Sequence, residues 1–140
     1  MIDIPVNTAE RLMRLYRSKG SKLQLQNSIS EMDYSYQLAI LAVEDGQDDE
    51  VVLAAFYNNF AKLITEKSED PGYEKTIQAL KNLGFSPKIL KIIKDVSRDE
   101  SQSLVKAKFE KWKTLSLEKL NVQTDLSFIK QLTVKYLRAS

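Results

Sequence analysis

Two adjacent amides, Asn58 and Asn59, interrupt the otherwise apolar stretch "AAFYNNFAKL". Asparagine offers a neutral carbonyl oxygen, which is a weak transition-metal ligand unless several carboxylates surround it. The chain contains no histidine and no cysteine, which excludes imidazole acid–base chemistry, thiolate metal sites, disulfides and Ser/His/Asp or Cys/His nucleophiles. Two interpretations of the pair remain. The amides are either buried groups that fix helix packing, or the polar wall of a pocket that holds a small anion.

A second group that could do chemistry is an acidic segment formed by Asp45, Asp48, Asp49 and Glu50. It lacks the alternating ligand pattern of an EF-hand calcium loop, and acids at the N-terminus of a helix explain it better. Residues 29–61 carry seven acids and no base, whereas residues 82–140 carry twelve bases and six acids. This polarity predicts mixed, solvated faces that dock within or between subunits.

Helices must position these residues, because the chain shows helical periodicity and no strand alternation. Candidate caps are Asn7 or Thr8 for the first helix, Ser28 or Ser30 for the second, and Ser86 followed by Pro87 for a later one. The second and third segments are apolar nearly all round, which is typical of the central helices of a bundle. The seven predicted segments are residues 7–20, 28–46, 48–68, 73–84, 86–97, 100–120 and 125–137.

The length of 140 residues predicts one domain that spans the whole chain, residues 1–140. The fold class expected is all-α, a single-domain bundle of about seven helices. The start "MIDIPVNTAE" has neither the basic nor the apolar region of a signal peptide, and no apolar run approaches the roughly 20 residues that span a bilayer. A cytoplasmic protein without a membrane segment is the expectation.

The stretch "ISEMDYSYQLAILAVEDGQDDEVVLAAFYNNFAKL", residues 29–63, resembles the opening of HD-domain proteins. The branch that it resembles contains the phosphonate-degrading and myo-inositol oxygenase-like di-iron enzymes. In that branch, a helix with a metal-binding histidine precedes a glycine, an acidic turn and a helix with the His-Asp pair. Here Gly46 and "QDDEVVLAA" keep this frame. The stretch "YEKTIQALKNLGFSPKILKIIKDV" resembles the next helix pair of the family more weakly.

The resemblance implies that the metal ligands of the family have been lost. The first ligand position falls on Tyr34, the His-Asp pair on Asn58 and Asn59, and a later histidine position on Lys62. The last ligand position falls on Asp95, the one carboxylate that remains. The resemblance therefore implies a degenerate pocket formed by Tyr34, Asn58, Asn59, Lys62 and Asp95, with no catalytic residue, no metal and no cofactor. It also divides the domain into an N-terminal helix (1–20), an HD-like core (28–97) and C-terminal helices (98–140).

The functional hypothesis is a non-catalytic HD-like protein, a pseudoenzyme that acts as a binding or regulatory module. A protein partner or self-association is the expected interaction, with a small anionic ligand as the alternative occupant of the former pocket. One rival hypothesis is a phosphohydrolase or oxygenase with residual metal-dependent activity. A second rival is a nucleic-acid binder that uses the lysines of residues 88–94 and 106–113, which is disfavoured because those lysines are interspersed with acids.

Overall fold

The computed structural model describes residues 4–23, 29–65, 72–97, 104–117 and 123–137. Within these ranges the chain forms eight α-helices and no strand, which confirms the predicted all-α class. A π-helical turn, Tyr16–Gly20, continues the first helix. The helices are α1 (Ile4–Leu15), α2 (Glu31–Glu44), α3 (Asp49–Tyr57), α4 (Ala61–Ile64), α5 (Gly72–Leu83), α6 (Pro87–Ser97), α7 (Leu104–Leu117) and α8 (Leu126–Tyr136).

Side-chain caps start the helices largely where the sequence places them. The Ser30 hydroxyl accepts a hydrogen bond from the backbone N–H of Asp33 at 3.1 Å and caps α2. Ser30 is thus one of the two predicted caps of this helix, and the other, Ser28, lies outside the described residues. Pro87 is the first residue of α6, as predicted. The cap predicted at Asn7 or Thr8 is wrong, because α1 already begins at Ile4. The proline at position 5 lies in the first turn of α1, where its missing N–H does no harm.

The helices α2 and α3 lie at the centre of the bundle, as their all-round apolar sequences predict. Helix α2 packs against α3, α7 and the π-helical turn, while α3 packs against α2, α6 and α8. Every residue from Val51 to Tyr57 is buried. The Gln37 side chain on α2 donates to the Ser116 carbonyl on α7 at 3.0 Å, which satisfies a polar group inside this packing.

The two ends of the chain close the bundle over this centre. Helix α1 packs against α8, and an ion pair of 3.1 Å between Lys130 and Glu10 lies across that contact. Gly20 permits a close approach of the π-helical turn to α2, since a Cβ atom there would lie 3.3 Å from the Cβ of Met32. Among the described residues, no helix is long and apolar enough to cross a lipid bilayer.

Candidate functional site

The asparagine pair lies at a break that divides the third predicted segment into α3 and α4. At the break, the Phe60 N–H donates to the Tyr57 carbonyl at 3.0 Å, a bond three residues back instead of four. The Ala61 N–H then bonds to the Thr76 hydroxyl of α5 at 3.1 Å. The prediction of one continuous helix over residues 48–68 is therefore wrong in its middle. At the tightened turn, the Thr76 hydroxyl of α5 replaces the helical carbonyl as the acceptor for the Ala61 N–H.

The two amides have different roles. The Asn58 side chain is buried and donates to the Ala55 carbonyl one turn earlier in α3, so this amide is satisfied by its own helix. The Asn59 side chain is partly buried and approaches the carboxyl of Glu31 on α2. Asn58 thus stabilises the end of α3, and both asparagines form part of the wall of a cavity.

That cavity of about 390 Å³ lies between the break, the first turns of α5, the end of α6 and one side of α7. Among the described residues, its charged lining consists of three lysines and one carboxylate: Lys62, Lys106, Lys113 and Glu110. Its neutral polar lining consists of Asn58, Asn59, Tyr73, Thr76 and Ser97. Lysine ammonium and hydroxyl donors thus outnumber acidic acceptors, so the lining suits an anion.

The lysines are partly or largely removed from solvent, a condition that disfavours their charged form. Lys106 is only 8% exposed, and Lys62 and Lys113 are partly buried. Burial lowers the pKa of Lys113, Glu110 opposes that change, and the charges of Lys62 and Lys106 lower the pKa further. Among the described residues, neither Lys62 nor Lys113 forms an ion pair with a carboxylate. The described lining therefore places positive side chains close to one another, and a bound anion would reduce the repulsion between them.

The structure brings three of the five predicted site residues together. Asn58, Asn59 and Lys62 share the cavity wall. Tyr34 is buried on α2 and Asp95 lies near the end of α6, and neither of them lines the cavity, although Val96 and Ser97 next to Asp95 do. The convergence of all five residues on one pocket stays a prediction.

A buried carboxyl group behind this wall, Glu31, was not predicted as a site residue. Glu31 is fully buried, and its Oε1 accepts a hydrogen bond from the Ser35 hydroxyl at 3.2 Å. Its Oε2 is enclosed and accepts no hydrogen bond of ordinary geometry from any described residue. Burial raises the pKa of Glu31 from 4.5 to about 7, while Lys62, Ser35 and Asn59 act in the opposite direction.

Two tyrosine side chains, Tyr16 and Tyr34, also lie near Glu31. Burial raises the pKa of the phenols Tyr16 and Tyr34, and the nearby Glu31 charge raises both further. The sequence places Glu31 in the first turn of a helix, where acids are ordinarily solvated and interact with the helix dipole. The sequence does not distinguish this acid from Asp33 in the same helical turn, which is only partly buried.

The acidic segment is neutralised from three different helices. Lys108 of α7 pairs with Asp45 at 2.7 Å, Lys88 of α6 with Asp48 at 3.1 Å, and Lys135 of α8 with Asp49 at 3.3 Å. Asp48 also caps α3, and the hydrogen bond from the Val51 N–H is the main reason why its pKa is lowered. The charge polarity of the sequence thus serves docking within one chain.

The described residues contain no group of three acids, histidines or cysteines that could hold a metal ion. The absence of a bound transition metal stays a prediction, which rests on the lack of histidine and cysteine in the whole chain.

The lysines of α6 and α7 lie in several different environments. Lys88 and Lys108 pair with the acidic segment, whereas Lys106 and Lys113 line the cavity. Lys91, Lys94 and Lys111 are exposed, as is the paired Lys88. The lysines of these two helices thus differ in their surroundings, and nucleic-acid binding stays a prediction.

Comparison of the chain with models of known protein families and with curated protein sequences finds no match.

Proposed function

We propose that this protein is a non-catalytic, HD-domain-like binding module that holds a small dianion of the phosphate class in the cavity next to Asn58 and Asn59. The observation that carries the proposal is the clustering of three partly or largely buried lysines around one polar cavity. Among the described lining residues, three lysines accompany one carboxylate, and this excess of positive side chains favours a dianion such as a phosphomonoester or sulfate.

The chemistry of the lining favours phosphate over other partners. Lysine ammonium groups are compact point charges that bind phosphate oxygens from several directions, without the planar geometry that a guanidinium requires. Tyr73, Thr76 and Ser97 add hydroxyls at the wall, and Asn58 and Asn59 add amides. The low proportion of apolar lining excludes a ligand that depends mainly on hydrophobic burial.

The size of the cavity supports an organic phosphate in addition to the inorganic ion. A volume of about 390 Å³ lies within the roughly 300–1,000 Å³ that small-molecule sites occupy. Inorganic phosphate would fill a small part of this space. The neutral hydroxyls and amides on the remaining wall are suited to hydrogen-bond a polar substituent, such as a sugar.

The residue types support binding in preference to catalysis. The chain has no histidine or cysteine, and Glu110 is the one carboxylate that the described part of the chain contributes to the cavity lining. Hydrolysis by general acid–base catalysis needs two positioned groups whose pKa values match their tasks, and one solvated carboxylate does not provide them. Residual phosphohydrolase or oxygenase activity and nucleic-acid binding remain rival hypotheses. Binding to a protein partner or to a second copy of the chain remains a prediction that sedimentation can test.

Isothermal titration with inorganic phosphate, sulfate and a set of phosphomonoesters tests the proposal. Loss of a charge-assisted hydrogen bond to the anion removes about 1.5–3 kcal/mol, so Lys113→Met and Lys62→Met should each weaken binding by roughly tenfold or more. Lys91→Met removes an exposed lysine from α6 and serves as the matched control, with unchanged affinity. Equal affinity in all three variants, or no binding of any of these anions, would contradict the proposal.

A further inference from the structure

The buried carboxyl of Glu31 and the cavity share two residues. Lys62 and Asn59 line the cavity, and the same two side chains act on Glu31 from the other side. Glu31 itself is fully buried and does not line the cavity, so it cannot touch a bound ligand. Its enclosed Oε2 has no hydrogen-bond partner of ordinary geometry among the described residues, which is an unusual condition for a buried carboxylate.

The charged and titratable groups around Glu31 come from each element packed against the start of α2. The π-helical turn contributes Tyr16, and α2 itself contributes Tyr34. Helix α3 contributes Tyr57, which acts on Tyr16 and not on the carboxyl. Helix α4 contributes Lys62, which among the described residues is the cation that acts on Glu31. From α7, Lys106, Glu110 and Lys113 face the cavity.

We propose that the cavity takes up its anion together with a proton, and that Glu31 is the group that accepts this proton from solvent. The proposal rests on the proposed function, because it requires an anion in the cavity. Lys62 then has two alternative counter-ions, the ionised Glu31 carboxylate in the absence of ligand and the dianion when the cavity is occupied.

The coupling arises because Lys62 interacts with both negative groups, the Glu31 carboxylate and the dianion in the cavity. Without a ligand, the Lys62 charge favours the ionised form of Glu31 against the effect of burial. A dianion next to Lys62 cancels this effect and adds repulsion between negative charges, so the neutral carboxyl becomes favoured. Because this coupling is reciprocal, protonation of Glu31 must strengthen anion binding by the same factor by which the anion strengthens proton binding.

This coupling predicts a definite pH profile for a ligand that does not titrate. Sulfate keeps both charges throughout the neutral range, so any proton that it brings into the complex must reside on the protein. Near neutral pH, Glu31 is divided between its two forms, because its pKa is about 7. We expect little proton uptake at pH 5, uptake that approaches one proton at pH 8, and an affinity for sulfate that falls as the pH rises between them.

The experiment is isothermal titration of the full chain with sulfate at pH 5, 7 and 8, in pairs of buffers that differ in ionisation enthalpy. In the wild type, the apparent enthalpy at pH 8 should depend on the buffer in the direction of proton uptake. Glu31→Gln mimics the neutral carboxyl, so it should bind sulfate at pH 8 at least as tightly as the wild type and without proton uptake. Glu44→Gln removes an exposed acid at the other end of α2 and should behave like the wild type.

Each result supports or overturns the inference. Sulfate binding with no proton uptake by the wild type at pH 8 would overturn the coupling and leave the proposed function intact. Equal proton uptake by Glu31→Gln would assign the proton to another group, with Lys113 of the cavity wall as the first candidate, and would also overturn it. Failure of the wild type to bind sulfate even at pH 5, where affinity should be highest, would overturn both proposals. If Glu31→Gln does not fold, the pH dependence of the proton count in the wild type decides the question.

Discussion

The stability of the fold should decrease as the pH rises through neutrality, and Glu31→Gln should remove that decrease. The pKa of Glu31 is raised from 4.5 to about 7 on folding, mainly by burial. The folded state therefore binds this proton more tightly than the unfolded chain does. Below pH 4.5 both states are protonated and the group has no effect, whereas above pH 7 the folded state has to hold a buried charge.

The magnitude follows from the same two pKa values. A difference between 4.5 and about 7 corresponds to roughly 3 kcal/mol at about 1.4 kcal/mol for each pH unit. Part of this loss has already occurred at pH 5, so we expect the free energy of unfolding to fall by about 2 kcal/mol between pH 5 and pH 8 through this group alone. A loss of that size is a large fraction of the stability of a small domain, which is typically about 5–15 kcal/mol.

Urea denaturation of the wild type and Glu31→Gln at pH 5, 6, 7 and 8, in an anion-poor buffer, measures the effect. All other titrating groups contribute equally to both proteins, so the difference between them isolates Glu31. The variant should gain about 2 kcal/mol relative to the wild type over this range, at unchanged slope with denaturant. Glu44→Gln, at the exposed end of the same helix, should show no such gain. A difference between wild type and Glu31→Gln that does not vary with pH would refute the reasoning.

Three further outcomes are expected. Thr133→Val should lower the free energy of unfolding by about 1–3 kcal/mol, because the buried Tyr57 hydroxyl loses its partner at 2.7 Å, whereas Thr114→Val, at an exposed threonine, should change it little in the same denaturation assay. Ala55→Asp should unfold the protein by thermal denaturation or lower its stability by several kcal/mol, since Ala55 is 0% exposed, while Lys91→Ala should be nearly neutral; equal sensitivity would contradict the burial of α3. Elemental analysis of protein purified without an affinity tag should show no iron, manganese, zinc or nickel near one equivalent, and a stoichiometric metal that survives dialysis would restore the enzyme hypothesis.

The break between α3 and α4 shows where sequence reasoning about the site reached its limit. The unusual amides at Asn58 and Asn59 drew attention to this region, and Lys62 shares a cavity with them. The cavity's other two lysines, Lys106 and Lys113, were considered only as part of a cationic surface. Their role depends on which side of α7 faces the bundle, and the weakly amphipathic sequence of α7 does not specify that side.

The sequence by itself determined the all-α class, the central position of α2 and α3, and the classes of chemistry that are excluded. These features follow from local properties, namely hydrophobic periodicity, capping residues and the absence of imidazole and thiol groups. Tertiary structure alone decided that Thr76 completes the break before α4, that lysines from two helices converge on one cavity, and that Glu31 is buried behind it. Each of these depends on contacts between residues far apart in the chain. Burial and electrostatic potential are properties of the space between packed helices, and a single helix does not encode them.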